Sequence, residues 1–166
     1  MIMKLYMKQK VFSIKDKFTI QDETGADKYF IEGKVISLGK KLTVKDAAGN
    51  DLALVKQKLV SFMPKFTVEM GGNEVAIIKK KVTAFKPKYI IEGPNWEVQG
   101  DFFGHDYTIS EAGAPIVSIH KKWMAWGDTF ELDVVDESRE VLAMAVVLAI
   151  DCVMDNGDNN AISLSR

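Results

Sequence analysis

The sequence predicts a mainly β protein with one α-helix: a closed, twelve-stranded antiparallel barrel around a buried, hydrophobic C-terminal helix. Three observations predict it. The stretch Glu140–Asp155 is apolar on every side except at Asp151. Before it, a three-residue strand signature recurs. Most copies of that signature run into a turn and a returning strand, so the chain reads as successive hairpins. A helix hydrophobic all round must be buried. Strands in up-and-down order leave costly edges unless they close.

The first strand is expected over Lys4–Ser13. The signature, apolar–Thr–apolar, then stands at Phe18-Thr19-Ile20, Leu42-Thr43-Val44, Phe66-Thr67-Val68 and Tyr107-Thr108-Ile109. Relaxed copies stand at Tyr89-Ile90-Ile91 and Phe130-Glu131-Leu132. Successive copies begin 18 to 24 residues apart, the spacing of an internal repeat. Asp22–Gly25 and Asp46–Gly49 are the clearest turns, each with a capping acid and a glycine that tolerates positive φ. Return strands follow over Asp27–Ile36, Asp51–Val60, Glu74–Ala84, Trp96–Phe102 and Pro115–Trp123. The sixth copy differs: after Phe130–Val135 and Asp136-Glu137, the returning element is the helix. One leading strand, six signature strands and five returns make twelve. A barrel of that size has a lumen too wide for its own side chains, and a slim helix would fill it.

The helix is predicted over residues 139–155, with Ser138 as N-cap and Asn156-Gly157 as its stop, followed by a polar tail over 156–166. From Glu140 to Asp155 it would span about 24 Å. Its unbroken apolar run is ten residues, against the roughly 20 that a membrane span needs. Core filling is therefore the better reading, and Cys152 belongs to that filling.

Residues 1–166 read as one domain, strands over 4–135, at 47% hydrophobic content. The N-terminal MIMKLYMKQK has no apolar signal core, so a cytoplasmic site, peripheral to the membrane at most, is the expectation. Charge is uneven. Residues 1–122 hold 20 Lys against 14 acids, and residues 123–166 hold 2 Arg against 9 acids. A lysine-bearing body suggests an anionic partner; a solvated barrel exterior explains it equally.

Aligning the return strands sets Ile31, Val55, Ile78 and Ile119 together, with Lys34, Lys58, Lys81 and Lys122 three residues on. Alternation along a strand then turns those lysines outward, with Lys56 and Lys79. Lys80 and Lys121 would point inward, which calls for a bulge or a barrel mouth at both.

The opening Tyr6-Met7-Lys8-Gln9-Lys10, the hairpins at Ile20–Gly25 and Val44–Gly49, and the ending Leu148-Ala149-Ile150-Asp151-Cys152-Val153 resemble the LURP-one-related family. That family is similar in fold to the tubby C-terminal domain and is linked to phospholipid scramblases. The resemblance covers nearly the whole chain and implies a twelve-stranded barrel around a C-terminal helix. Tubby domains bind phosphoinositides through basic residues on the barrel; no individual position is carried over. The calcium-binding segment and acylated cysteines of scramblases have no clear counterpart in this sequence.

No G-x-S-x-G, P-loop, H-E-x-x-H or C-x-x-C motif is present, and a single Cys excludes a cysteine zinc site. No catalytic residue, metal or cofactor is expected. His105, between Asp101 and Asp106, is the one place where an unrecognised enzymatic site could lie. Asp155–Asn160 superficially suggests calcium, but position twelve of such a loop would be Arg166. With two Arg and no recognition motif, nucleic acid is not an expected partner. The sharpest binding hypothesis is an anionic membrane surface or phosphorylated lipid head group, held by Lys34, Lys58, Lys79, Lys81, Lys122 and Trp126. Trp123, Met124, Phe62, Met63 and Phe85 follow the same strands. Against it stand a scaffold that binds another protein, and the plain reading in which the lysines only solubilise the barrel and the aromatics plug its end.

Overall fold

The computed structural model describes residues 2–8, 17–36, 39–58, 65–82, 87–101, 104–124 and 127–164. Twelve strands run in chain order: β1 (Met3–Met7), β2 (Lys17–Gln21), β3 (Asp27–Ile36), β4 (Gly39–Lys45), β5 (Asp51–Gln57) and β6 (Lys65–Met70). Then follow β7 (Asn73–Val82), β8 (Pro87–Glu92), β9 (Trp96–Asp101), β10 (Asp106–Glu111), β11 (Ala114–Met124) and β12 (Gly127–Val134). A 3-10 turn (Glu137–Arg139) leads into the helix α1 (Glu140–Leu164). Each strand pairs antiparallel with the next, and β12 pairs with β1, so the sheet closes as expected. The closing rung sets Leu5 opposite Leu132. The neighbouring β1–β2 seam is short, with Tyr6 opposite Gln21 and Met7 opposite Ile20.

The alternation read from the repeat holds. Ile31, Val55, Ile78 and Ile119 are buried, as are the signature residues on either side of each threonine in the first three copies. The lumen is filled by α1, every residue of which from Ala143 to Met154 is buried. The helix lies closest to β5, β6 and β7. The barrel has two unlike ends. At the turn end lie the signature turns and the start of α1. At the loop end lie the connections after β3, β5, β7, β9 and β11.

Two helix boundaries differ from expectation. Ser138 is not the cap: Asp136 is. Its Oδ1 accepts from the Ser138 backbone N–H at 3.0 Å and from the Ser138 hydroxyl at 2.7 Å. The serine hydroxyl is thereby consumed, and the chain enters through a 3-10 turn two residues earlier. Nor does Asn156-Gly157 end the helix, which continues to Leu164 through most of the expected polar tail. Glycine permits a left-handed stop without imposing one, and past the last buried residue no packing demands a turn.

The predicted inward lysines need no bulge. Lys80 pairs in register with Tyr89, and Lys121 with Phe130. Both lie near the loop end, Lys121 exposed and Lys80 half-buried. The mouth alternative is the one realised. Register shifts occur instead next to turns, between Ile20 and Gln21, Val44 and Lys45, Val68 and Glu69, and Ile109 and Ser110.

Candidate functional site

On the outer wall, the loop-end half of β3–β8 carries a belt of lysines. Each faces outward because the flanking residues of its strand face the core. Lys34 of β3 stands directly opposite Lys41 of β4, and Lys41 opposite Lys56 of β5. Lys65 of β6 opposes Lys79 of β7, and Lys81 of β7 opposes Lys88 of β8. Like charges directly opposite one another cost roughly 0.2–1 kcal/mol per pair. Some are relieved by acids: Lys56 meets Glu69 at 3.2 Å, and Lys79 pairs with Glu92, whose carboxyl that hydrogen bond holds below its ordinary value. Lys34, Lys41, Lys65, Lys81 and Lys88 make no ion pair among the described residues. Glu32, the nearest acid on β3, is occupied by Lys17 at 3.3 Å and Lys45 at 3.6 Å.

Of the expected site residues, Lys34, Lys79 and Lys81 lie in this belt. Lys58 lies at its upper edge, its backbone N–H donating to the Lys65 carbonyl at 2.9 Å and its ammonium meeting Glu74 at 3.1 Å. Lys122 does not join them. It sits on β11, across the barrel, 2.8 Å from Glu131. Trp126 lies outside the described residues, as do Phe62, Met63 and Phe85. The sequence reading passed over Lys41, Lys65 and Lys88. A signal for them exists: the residue just before the signature is lysine in four copies, Lys17, Lys41, Lys65 and Lys88. Only strand register shows that these face the return-strand lysines.

The opposite wall is charge-balanced. Lys4 lies 3.0 Å from Glu131 and 2.9 Å from Asp133, and those hydrogen bonds raise its pKa. Burial works to raise the Glu131 carboxyl, but hydrogen bonds from Lys122, Lys4 and Tyr6 outweigh it and hold it down. His120 Nδ1 lies 3.0 Å from Asp106 and its Nε2 3.7 Å from Asp133.

His105 has a definite place. Asp101 accepts the Gly104 N–H at 3.0 Å, and His105 takes a φ of 52°, a conformation more open to His than to most residues. This tight turn tips the ring against Phe130, with centroids 4.8 Å apart, and sets Nε2 3.1 Å from Asp151 Oδ1. The one polar residue of the apolar helix run is thus met by a histidine from the wall. Tyr107 lies near: burial first, then the Asp151 charge, pushes its phenol well above the ordinary range. At the other end of the helix, buried Glu140 Oε1 accepts from the Tyr29 hydroxyl at 2.5 Å and lies 2.7 Å from the Lys28 ammonium. The helix is pinned at both ends by a carboxylate. A His–Asp pair can hold or shift a proton, but the wall hollows of about 340 Å³ (over Phe30) and 290 Å³ (beside Lys41) lie on the outside of β2–β6, away from it. Among the described residues, no group of three or more His, Cys, Asp and Glu is placed to hold a metal ion. Nor is any helix long and apolar enough to cross a membrane.

Known proteins were compared with this geometry. The solved X-ray structure of an Arabidopsis thaliana protein superposes with a TM-score of 0.66, covering 92% of this chain and 91% of that one at 16% identity. At that identity the likeness speaks for the barrel alone. The uncharacterized protein YxjI of Bacillus subtilis (strain 168) is 35% identical over 161 residues, 97% of this chain and 99% of that protein. The LURP-one-related family model matches residues 3–151, nearly the whole barrel and most of the buried helix. The chain is a member of the LURP-one-related family.

Proposed function

We propose that this barrel is a non-enzymatic binding module that receives anionic phospholipid head groups on the lysine belt of β3–β8. The observation that carries it is the directly opposed lysine pairs, Lys34–Lys41, Lys41–Lys56, Lys65–Lys79 and Lys81–Lys88. A wall built only for solubility has no reason to set lysine against lysine on adjacent strands. Phosphates between them would convert the repulsion into charge-assisted hydrogen bonds. Each basic residue near an anionic surface adds about 1 kcal/mol of attraction. A belt of that kind gives peripheral, salt-sensitive attachment, since charges beyond about 8 Å are screened at physiological ionic strength.

The test is co-sedimentation with vesicles of phosphatidylcholine alone and with added phosphatidylserine, at low and high salt. Binding is expected only to the anionic vesicles, lost at high salt and lost in the combined Lys34→Glu, Lys41→Glu, Lys81→Glu and Lys88→Glu variant. No sedimentation under any condition would remove the lipid reading and leave a scaffold for an acidic protein partner.

A further inference from the structure

We infer that the loop end of the β3–β4 hairpin is a membrane-inserting wedge, in which Val35 enters the interfacial layer of an anionic bilayer while Lys34, Lys40 and Lys41 hold the surrounding phosphates. This rests on the head-group reading above and adds to it a point of penetration.

Val35 lies on the lumen side of β3, above the last packed layer, and is 74% exposed. Its strand neighbour across the hairpin is Lys40. Lys34 and Lys41, facing each other on the outer wall, flank it one residue on either side. None of these three lysines makes an ion pair among the described residues. The other large exposed apolar residues, Ile2 and Val135, lie at the turn end of the barrel. There they neighbour Glu23, Asp136 and Glu137, whose charge would repel an anionic surface. Val35 is therefore the exposed large apolar side chain that stands among unneutralised cations. That combination suits the bilayer interface, where an apolar side chain is buried in the head-group layer and adjacent Lys reaches phosphate.

The helix runs past the mouth at this end with Asp155 and Asp158 in its sequence. An approach straight along the barrel axis would bring those acids to the surface. The wedge and the belt together point instead to a tilted seat on the β3–β8 rim.

The experiment uses the full chain with Val35→Cys carrying an environment-sensitive dye, because the only native thiol, Cys152, is buried. Phosphatidylserine vesicles are expected to shift its emission to the blue, and spin-labelled lipids to quench it. The same dye on Val135→Cys is expected not to respond. Val35→Ser should weaken vesicle binding about tenfold, one buried aliphatic side chain's worth, with the salt dependence unchanged. An unshifted dye at position 35 on vesicles that do sediment the wild-type chain would overturn the wedge and leave the head-group reading standing. A chain that sediments with no vesicle would overturn both. A dye shift that follows protein concentration rather than vesicles would assign the tip to a second copy of the chain and overturn the wedge.

Discussion

Asp22, Asp46 and Asp136 make the same contacts at three points of the repeat. Asp22 Oδ1 accepts from the N–H of Thr24 and Ala26, and Asp46 Oδ1 from those of Ala48 and Asn50. Asp136 does the same for Ser138, and what elsewhere closes a hairpin starts the helix there. Hydrogen bonds from Thr24, Asn50 and Ser138 hold the three carboxyls below their ordinary value of 3.8. A carboxyl whose folded pKa is depressed contributes stability above its unfolded pKa and loses it as pH falls through the folded one. The thermal midpoint is expected to be level between pH 7 and about 5 and to fall as pH drops through about 4 toward 2. A profile flat down to pH 3 would deny these turns a share in stability. Gly100 supplies a steric test. It has a φ of +128°, and a Cβ there would sit 2.6 Å from the Asp106 carbonyl oxygen and 2.7 Å from Tyr107 Cα. Gly100→Ala should cost about 1–3 kcal/mol, read as a lower urea midpoint at unchanged slope.

At the scale of the element, the helix is the strongest constraint on the fold. Leu148 is fully buried inside the barrel. Leu148→Ala should cost about 2–5 kcal/mol, and Leu148→Asp should abolish cooperative folding because its charge finds no partner in the lumen. Circular dichroism with urea separates the two; a soluble Leu148→Asp variant that unfolds cooperatively would show that the lumen is not dry. Helix, strand number and closure were legible because each rests on a pattern along one segment: all-round hydrophobicity, period-two alternation, and an acid and glycine at fixed offsets. Lys41 and Lys88 were legible as lysines before a signature, but their opposition to Lys34 and Lys81 belongs to register, which joins two segments. His105 was legible only as a histidine among acids. Its pairing with Asp151, 46 residues on, depends on a left-handed turn and on which residue of the helix reaches that height. The helix end was misplaced because glycine's tolerance resembles an instruction to stop.

Taken whole, the molecule is polarised along the barrel axis rather than along the chain. Lys34, Lys40, Lys41, Lys65, Lys81 and Lys88 gather toward the loop end, while Asp22, Glu23, Asp46, Asp136 and Glu137 ring the turn end. The body-to-tail asymmetry in sequence is folded into an end-to-end one, which orients the molecule before it touches an anionic surface. Lys45, at the turn end and paired with Glu32 and Asp51, provides the control: Lys45→Gln should leave vesicle co-sedimentation unchanged while Lys34→Gln with Lys41→Gln weakens it several-fold. The closing rung has a consequence for how the protein is made. The first strand leaves the ribosome early and finds its partner, β12, only when nearly the whole chain has followed. The filler of the lumen comes later still. A wall completed first could not admit the helix, so the sheet must curl around it after synthesis ends. Until then the inner faces of eleven strands have nothing to cover them. Folding dominated by such distant pairings is slow, and the nascent chain is the form most exposed to aggregation and most in need of a chaperone.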